Sequence, residues 1–391
     1  LSVLKLTLPL GISFYTFQSV SYVVDVYRGK HEPQKNFFKY ALFVSFFPQL
    51  LQGPIGRYER LGEQLYEGHA YDLKNIQFGL QRILWGMLKK MVLADRVNAA
   101  VTLIFNNYWN YGGWINVFGV ILYSIQLYAD FSGGIDITIG IAQMFGITMD
   151  ENFRQPYFSR SISEFWRRWH ITLGTWMKDY IFYPFSLSRC MNKFGKWCKK
   201  TFGNNVGKLL PVSLANLLVF FIVGIWHGAA WKYIMYGMYN GVIIAASGML
   251  APVYARIHES LHINPKSWWY QVFCIIRTFI LVNIGFYFDM APDLHAANVM
   301  LLDTVTKAHL SQISMATVKE VGLTAQDLII VAAGCIIIFV VSVLKEKGIK
   351  IREAVASRNI VLRWFIYIVF IMFILIYGST STTSDFIYAN F

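Results

Sequence analysis

Five runs in the second half of this chain decide what it can fold into. Residues 209–226, 229–250, 268–288, 328–344 and 360–377 are each apolar over about 17–22 positions. A bilayer core about 30 Å thick is crossed by about 20 helical residues, and at that depth the backbone has no water to bond. Runs of this length read as transmembrane helices, and the chain as an all-α, polytopic integral membrane protein. Composition agrees: of 391 residues, 55% are hydrophobic, 17% aromatic and only 15% charged, where a soluble domain carries roughly 25% charged residues. Mean hydropathy is +0.43. The net charge of +13 would suggest nucleic acid on a soluble chain. Here it belongs in cytoplasmic loops, and no nucleic-acid partner is expected.

The first half is less regular. Residues 3–24 form an apolar segment with Pro9 and Gly11 near its start, long enough to cross. Residues 37–56 are interrupted by Pro48, Gly53 and Pro54 and read as a broken or re-entrant segment. Residues 57–75 are polar and loop-like, and 76–93 place Arg82, Lys89 and Lys90 among leucines and aromatics, as an interfacial amphipathic helix does. A spanning candidate at 114–129 closes on Asp130-Phe131-Ser132-Gly133-Gly134, and a second apolar segment, 135–148, contains Asp136. The chain starts at Leu1 and enters apolar sequence at once, so residues 1–391 are expected to be a single membrane domain that lacks earlier spans. Cys190, Cys198, Cys274 and Cys335 show no paired spacing and are expected to be reduced.

Basic stretches set the orientation. Residues 189–208 hold six basic residues (Arg189, Lys193, Lys196, Lys199, Lys200, Lys208) and no acid, and 345–363 hold six against Glu346 and Glu353. Placing both on the cytoplasmic side leaves the near-neutral 289–327 loop and the tail, 378–391, outside.

Between these spans lies SISEFWRRWHITLGTWMKDYIFYPF, residues 161–185. Ionisable groups near a bilayer are costly and persist where they pair, snorkel or do chemistry. If this stretch is helical, Trp166 and Arg167 share a face with His170. Arg167 and Arg168 could hold donor phosphates or simply rest on lipid phosphate. Asp130, Asp136 and Asp179 could line a polar path or pair with Arg167 and Arg168. His227 lies in IWHG at the junction of two apolar runs. An imidazole with an unperturbed pKa of about 6.5 can act as a base there, or can merely bond a carbonyl at a helix end. His258 and His262 sit four apart without an HExxH pattern, so no metal is expected. No phosphate-binding glycine loop is present.

Taken in order, FFPQLLQGPIGRY, LYADFSGGIDITIGIAQMFGI, NFRQPYFSRSISEFWRRWHITLGTWMKDYIFYP and IWHGAAWKYIMYGMYNG resemble the membrane-bound O-acyltransferase family, in its alginate O-acetylase-like branch. That resemblance implies a helical bundle with re-entrant and interfacial helices around a central tunnel, in the plasma membrane of a bacterium. It implies acyl transfer from a thioester donor, acetyl-CoA, to a hydroxyl for O-acetylation of an extracytoplasmic polysaccharide. The family's catalytic histidine falls on His227 and its second signature histidine on His170, with Trp166, Arg167 and Arg168 on the donor side. An extracytoplasmic lipase-like acetyltransferase is the implied partner, and no cofactor is permanently bound. Asn240 stands where many relatives have histidine.

The chain ends FIYANF, similar to the tail of a small partner protein in lipoteichoic acid D-alanylation. Tyr388 is therefore a candidate acyl relay, since the linker 378–385 could reach roughly 26 Å at about 3.3 Å per residue. The alternatives are a short aromatic anchor for the tail, D-alanyl transfer to teichoic acid from a carrier-protein thioester, and a transporter for a lipid-linked sugar. The last predicts repeat-related broken helices, and no repeat is visible.

Overall fold

The computed structural model describes residues 11–312, 314–379 and 386, all helix, turn and coil with no strand among them. Helices of ten residues or more are numbered here in chain order. They are α1 (Ile12–Tyr27), α2 (Leu73–Met87), α3 (Asp95–Asn106), α4 (Trp114–Met144), α5 (Arg189–His227) and α6 (Trp231–Met249). The series continues with α7 (Ala251–Ser260), α8 (Trp268–Met290), α9 (Leu294–Thr306), α10 (Ala325–Glu346) and α11 (Ile360–Tyr377). Length and apolarity suffice to cross a membrane in α4, Val206–His227 of α5, α8, α10 and α11. The α6–α7 pair, bent by 56°, meets the same length and apolarity together, as a broken span or a re-entrant loop. The chain is a multi-pass membrane protein.

It divides into two compact units. One contains residues up to 99, 125–152 and from 322 onward; the other contains 100–124 and 153–321.

In the first unit the 37–56 segment is broken, as its prolines and glycine require. A helix, Phe37–Val44, is followed by a 3-10 turn, Phe47–Gln49, and then by irregular chain. Side chains satisfy the backbone this frees. Gln49 Nε2 donates to Phe43 O (3.2 Å) and Gln52 Nε2 to Phe131 O (3.0 Å). The Thr138 hydroxyl lies 3.0 and 2.7 Å from the Pro48 and Gln52 carbonyls. The following stretch, expected as loop, contains helical turns at Tyr58–Gly62 and Glu63–Leu65.

Two expectations fail in this unit, for one reason. DFSGG does not end a span, because α4 runs unbroken for 31 residues. Nor is 76–93 an interfacial helix with outward charges. A π-helical stretch, Leu88–Ala94, links α2 to α3 and buries Lys89 and Lys90. The reason is glycine. A Cβ on Gly79 would stand 2.6 Å from Gly140 O, and one on Gly86 would stand 2.5 Å from Gly133 O. The backbones of α2 and α4 therefore touch, as small residues permit between membrane helices. That proximity lets the basic residues meet acids instead of headgroups. Arg82 reaches Asp136 (2.9 Å) and Glu151 (2.5 Å), Lys89 reaches Asp136 (2.5 Å), and Lys90 reaches Asp95 and Asp130 (2.8 Å each).

In the second unit the expected basic loop, 189–208, is also helical. It forms the first part of α5, which breaks at Gly203 (φ 80°, ψ 171°) before the Val206–His227 span. A left-handed φ is cheap for glycine alone. After Gly228–Ala230 the chain turns back as α6, which packs on α5 through Gly224 and Gly237. A Cβ on Gly237 would lie 2.2 Å from Phe220 O, and one on Gly224 would lie 2.6 Å from Tyr233 O.

Candidate active site

His227 is the last residue of α5, where Gly228 (φ 151°) ends the helix. The ring of Tyr233 passes so close over Gly228 that a Cβ there would meet it at 2.7 Å. The glycine is thus needed twice, for its dihedral and for the space. Tyr233 stacks at 6.2 Å from the His227 ring, and Tyr236 presents itself edge-on at 5.6 Å. His227 is only 4% exposed.

His170 does not share a helical face with Trp166 and Arg167. The helix holding them, Ile162–Arg168, is capped by the Ser161 hydroxyl and ends before His170. Trp169 is extended, and His170 opens the next short helix, Ile171–Met177, in a left-handed conformation (φ 46°, ψ 53°). Such a backbone costs a non-glycine residue about 1–3 kcal/mol and persists where its surroundings over-determine it. Here Trp169 provides that constraint. It is 2% exposed and packs on Phe153 and Phe165 at 5.0 and 5.4 Å. The reversal swings the His170 ring inward, to 2% exposure, where Trp226 stands 5.9 Å from it and 5.0 Å from His227. The two histidines flank one indole.

Burial pushes the His170 pKa down from 6.5 to about 3, and the neighbouring His227 adds to the shift. At neutral pH His170 is an uncharged imidazole, a hydrogen-bonding group that brings no positive charge to a phosphate.

Of the donor-side candidates, the structure brings only Trp166 to this cluster. Its indole N–H donates to Asn240 Oδ1 (3.0 Å), and its ring lies 5.2 Å from Phe220 and 6.3 Å from Tyr236. Arg167 is exposed and donates to Ser163 (3.1 Å), while Arg168 pairs with Glu164 (2.9 Å). For Asp130 and Asp136 the expected pairing with these arginines gives way to other partners. Asp130 and Asp136 hold lysines and Arg82 in the first unit, and Asp179 sits in a π-helical turn, Lys178–Phe182.

Two residues escaped the sequence reading. Asn240 was noted only as a missing histidine, yet it is 3% exposed, accepts from Trp166 and donates to Tyr236 O (2.9 Å). It joins the short helix to the ring that borders His227. Asp289, buried near the end of α8, accepts from the Tyr123 hydroxyl (2.7 Å) and acts electrostatically on His227. Lys232 Nζ donates to the carbonyls of Asp289 and Ala291 (3.2 and 2.7 Å). An intramembrane acid in FYFDM could have been flagged by the same rule applied to Asp130 and Asp136.

Tyr388 lies outside the described residues. Two positions earlier, Phe386 sets its ring 4.9 Å from Lys90 Nζ. Among the described residues no three or more His, Cys, Asp and Glu side chains gather as a metal site would need. His258 bonds the Tyr270 hydroxyl (2.6 Å).

Residues 33–198 match the model of MBOAT, the membrane-bound O-acyltransferase family. The matched segment takes in Trp166–His170 and stops short of His227. The chain is 36% identical over 295 residues to "Probable alginate O-acetylase AlgI" of Pseudomonas syringae, covering 75% of this chain and 51% of that protein. It is 32% identical over 348 residues to "Peptidoglycan O-acetyltransferase" of Helicobacter pylori, covering 79% and 60%. To "Teichoic acid D-alanyltransferase" of Bacillus subtilis it is 29% identical over 300 residues, covering 73% and 69%. The chain thus spans about half the length of the first of these relatives.

Proposed function

Because this chain belongs to the membrane-bound O-acyltransferase family, we propose that it is an acyltransferase. In this reading it moves acetyl from acetyl-CoA, on the cytoplasmic side, to a hydroxyl destined for an extracytoplasmic polysaccharide. His227 is the general base. The observation that carries the assignment is the convergence of His227, His170, Trp166 and Asn240 on one buried set of rings, from three separate stretches of chain.

The chemistry follows from that setting. His227 takes the proton of the acceptor hydroxyl as its oxygen attacks the thioester carbonyl. The C–S bond then breaks, the thiol leaves, and the proton returns from the imidazole to sulfur or to solvent. Neutral His170 offers one hydrogen bond to orient the thioester or the acceptor. The buried aromatic wall excludes water, which would otherwise hydrolyse the activated acyl group. The acceptor is a sugar hydroxyl, a hydroxyl of an extracytoplasmic transferase partner, or Tyr388 as a relay.

Identity is higher to the O-acetylase than to the D-alanyltransferase, which favours acetyl-CoA over a carrier-protein thioester. Proteoliposomes given radiolabelled acetyl-CoA should transfer label to polymer or partner. His227→Ala should lower that rate by at least about 10²-fold while the protein elutes as a single species from gel filtration. Near-wild-type transfer by the variant removes His227 from the mechanism. Transfer only from a D-alanyl carrier replaces the donor.

A further inference from the structure

The opening part of α5 has a composition that the site does not use. Along it Arg189, Lys193, Lys196, Lys199 and Lys200 are all exposed, with Lys208 just beyond, while Met191 and Cys198, seven apart, face inward. The exposed side is not merely polar. Trp197 is 54% exposed and Phe202 51%. The Trp197 ring lies 5.8 Å from Phe194 and 5.7 Å from Phe202, so three rings form one patch among the lysines. A face meant only for water has no reason to gather aromatics.

Its position relative to a span is also fixed. Beyond the Gly203 break, the span Val206–His227 begins within three residues. At Gly207 the start of that span meets the basic helix so closely that a Cβ would stand 2.4 Å from both Lys199 N and Lys199 Cα. The segment is held against the mouth of a membrane helix, where aromatic rings seek the interface and ammonium groups seek phosphate.

We propose that this segment, Arg189 to Phe202, is a binding surface for anionic phospholipid headgroups. Lys193, Lys196, Lys199 and Lys200 contact the phosphates, and the Phe194–Trp197–Phe202 patch is seated at the boundary with the acyl chains. The charge complementarity is one-sided, since no acid occurs between 189 and 208. The surface is separate from the histidine cluster and does not depend on which acyl group is transferred.

The full chain, in nanodiscs of phosphatidylcholine with a brominated lipid at about 20%, provides the test. The Trp197 signal is isolated as the difference between wild type and Trp197→Phe. Brominated phosphatidylglycerol should quench this signal about twofold more than brominated phosphatidylcholine at the same fraction. The excess should vanish in a variant with all four lysines changed to Gln. It should also shrink in wild type at about 0.5 M salt, which screens exposed charges beyond a few ångströms and needs no variant to fold. Equal quenching by the two lipids overturns the headgroup selectivity. Absence of quenching by either places the segment away from the bilayer and overturns the proposal outright.

Discussion

At the residue scale, the two histidines illustrate different degrees of legibility. His227 sits where the sequence reading puts it, between two apolar runs and beside a glycine, and Gly228 ends its helix. For His170 the i−3 and i−4 argument fails, because a seven-residue helix stops at Arg168 and a left-handed residue follows. Buried neutral, His170 imposes a pH dependence on stability. Unfolded, it titrates near its ordinary 6.5; folded, it does so at about 3. Between those values the unfolded chain binds a proton that the folded chain does not, so stability falls as pH drops below 6.5. The slope from this one group reaches about 1.4 kcal/mol per pH unit. Thermal unfolding in detergent at pH 7.5 and pH 5 should therefore show a smaller acid loss for His170→Asn than for wild type, and an equal loss means the ring is not buried neutral. Asn240 is argued from its bonds. Asn240→Leu strands the Trp166 indole N–H and should cost about 1–3 kcal/mol, whereas Asn240→His supplies a replacement acceptor and should recover most of it. Melting temperatures of the two variants decide the matter.

At the element scale, helix existence was readable and helix continuity was not. The spans read at 268–288, 328–344 and 360–377 match α8, α10 and α11 within a few residues. The broken 37–56 segment was legible because proline and glycine act locally. The unbroken α4 and the helical start of α5 were missed because a glycine pair or a run of lysines does not reveal its partner. Gly133 tolerates a helix here because Gly86 of α2 lies against it, a contact invisible along the chain. The same close packing sets a prediction for the α5–α6 turn that carries His227. Gly237→Val would force a side chain into a site where even Cβ is 2.2 Å from Phe220 O. Overpacking of this kind costs about 1–3 kcal/mol or more. The variant should lose melting temperature and acyl transfer together, whereas Gly248→Ala, with nothing within 4 Å, should change neither.

At the scale of the whole molecule, orientation rests on charge asymmetry across the spans, and one native residue can report it. Cys190 is exposed at the start of the basic segment, while Cys198 and Cys274 are buried. In sealed right-side-out vesicles a membrane-impermeant maleimide should leave Cys190 unmodified, and should label it once the inner face is opened. Labelling before opening would reverse the topology and with it the side from which acetyl-CoA is expected.

By itself the sequence determined that this is a multi-pass helical membrane protein of a particular family. Long apolar runs have few other folds open to them in lipid, and residues 33–198 match the membrane-bound O-acyltransferase model. Only the tertiary structure decided which partners these polar groups take. Arg82, Lys89 and Lys90 resembled interfacial anchors, yet glycine-mediated packing buries them against acids. Arg168, a donor-side candidate, pairs with Glu164 one turn earlier on its own short helix. Asn240, read as an absence, bonds the tryptophan beside the histidines. The physical reason is common to the buried lysines and Asn240. A polar side chain in a membrane protein is defined by the partner that offsets its desolvation, and that partner is chosen by packing between segments far apart in sequence.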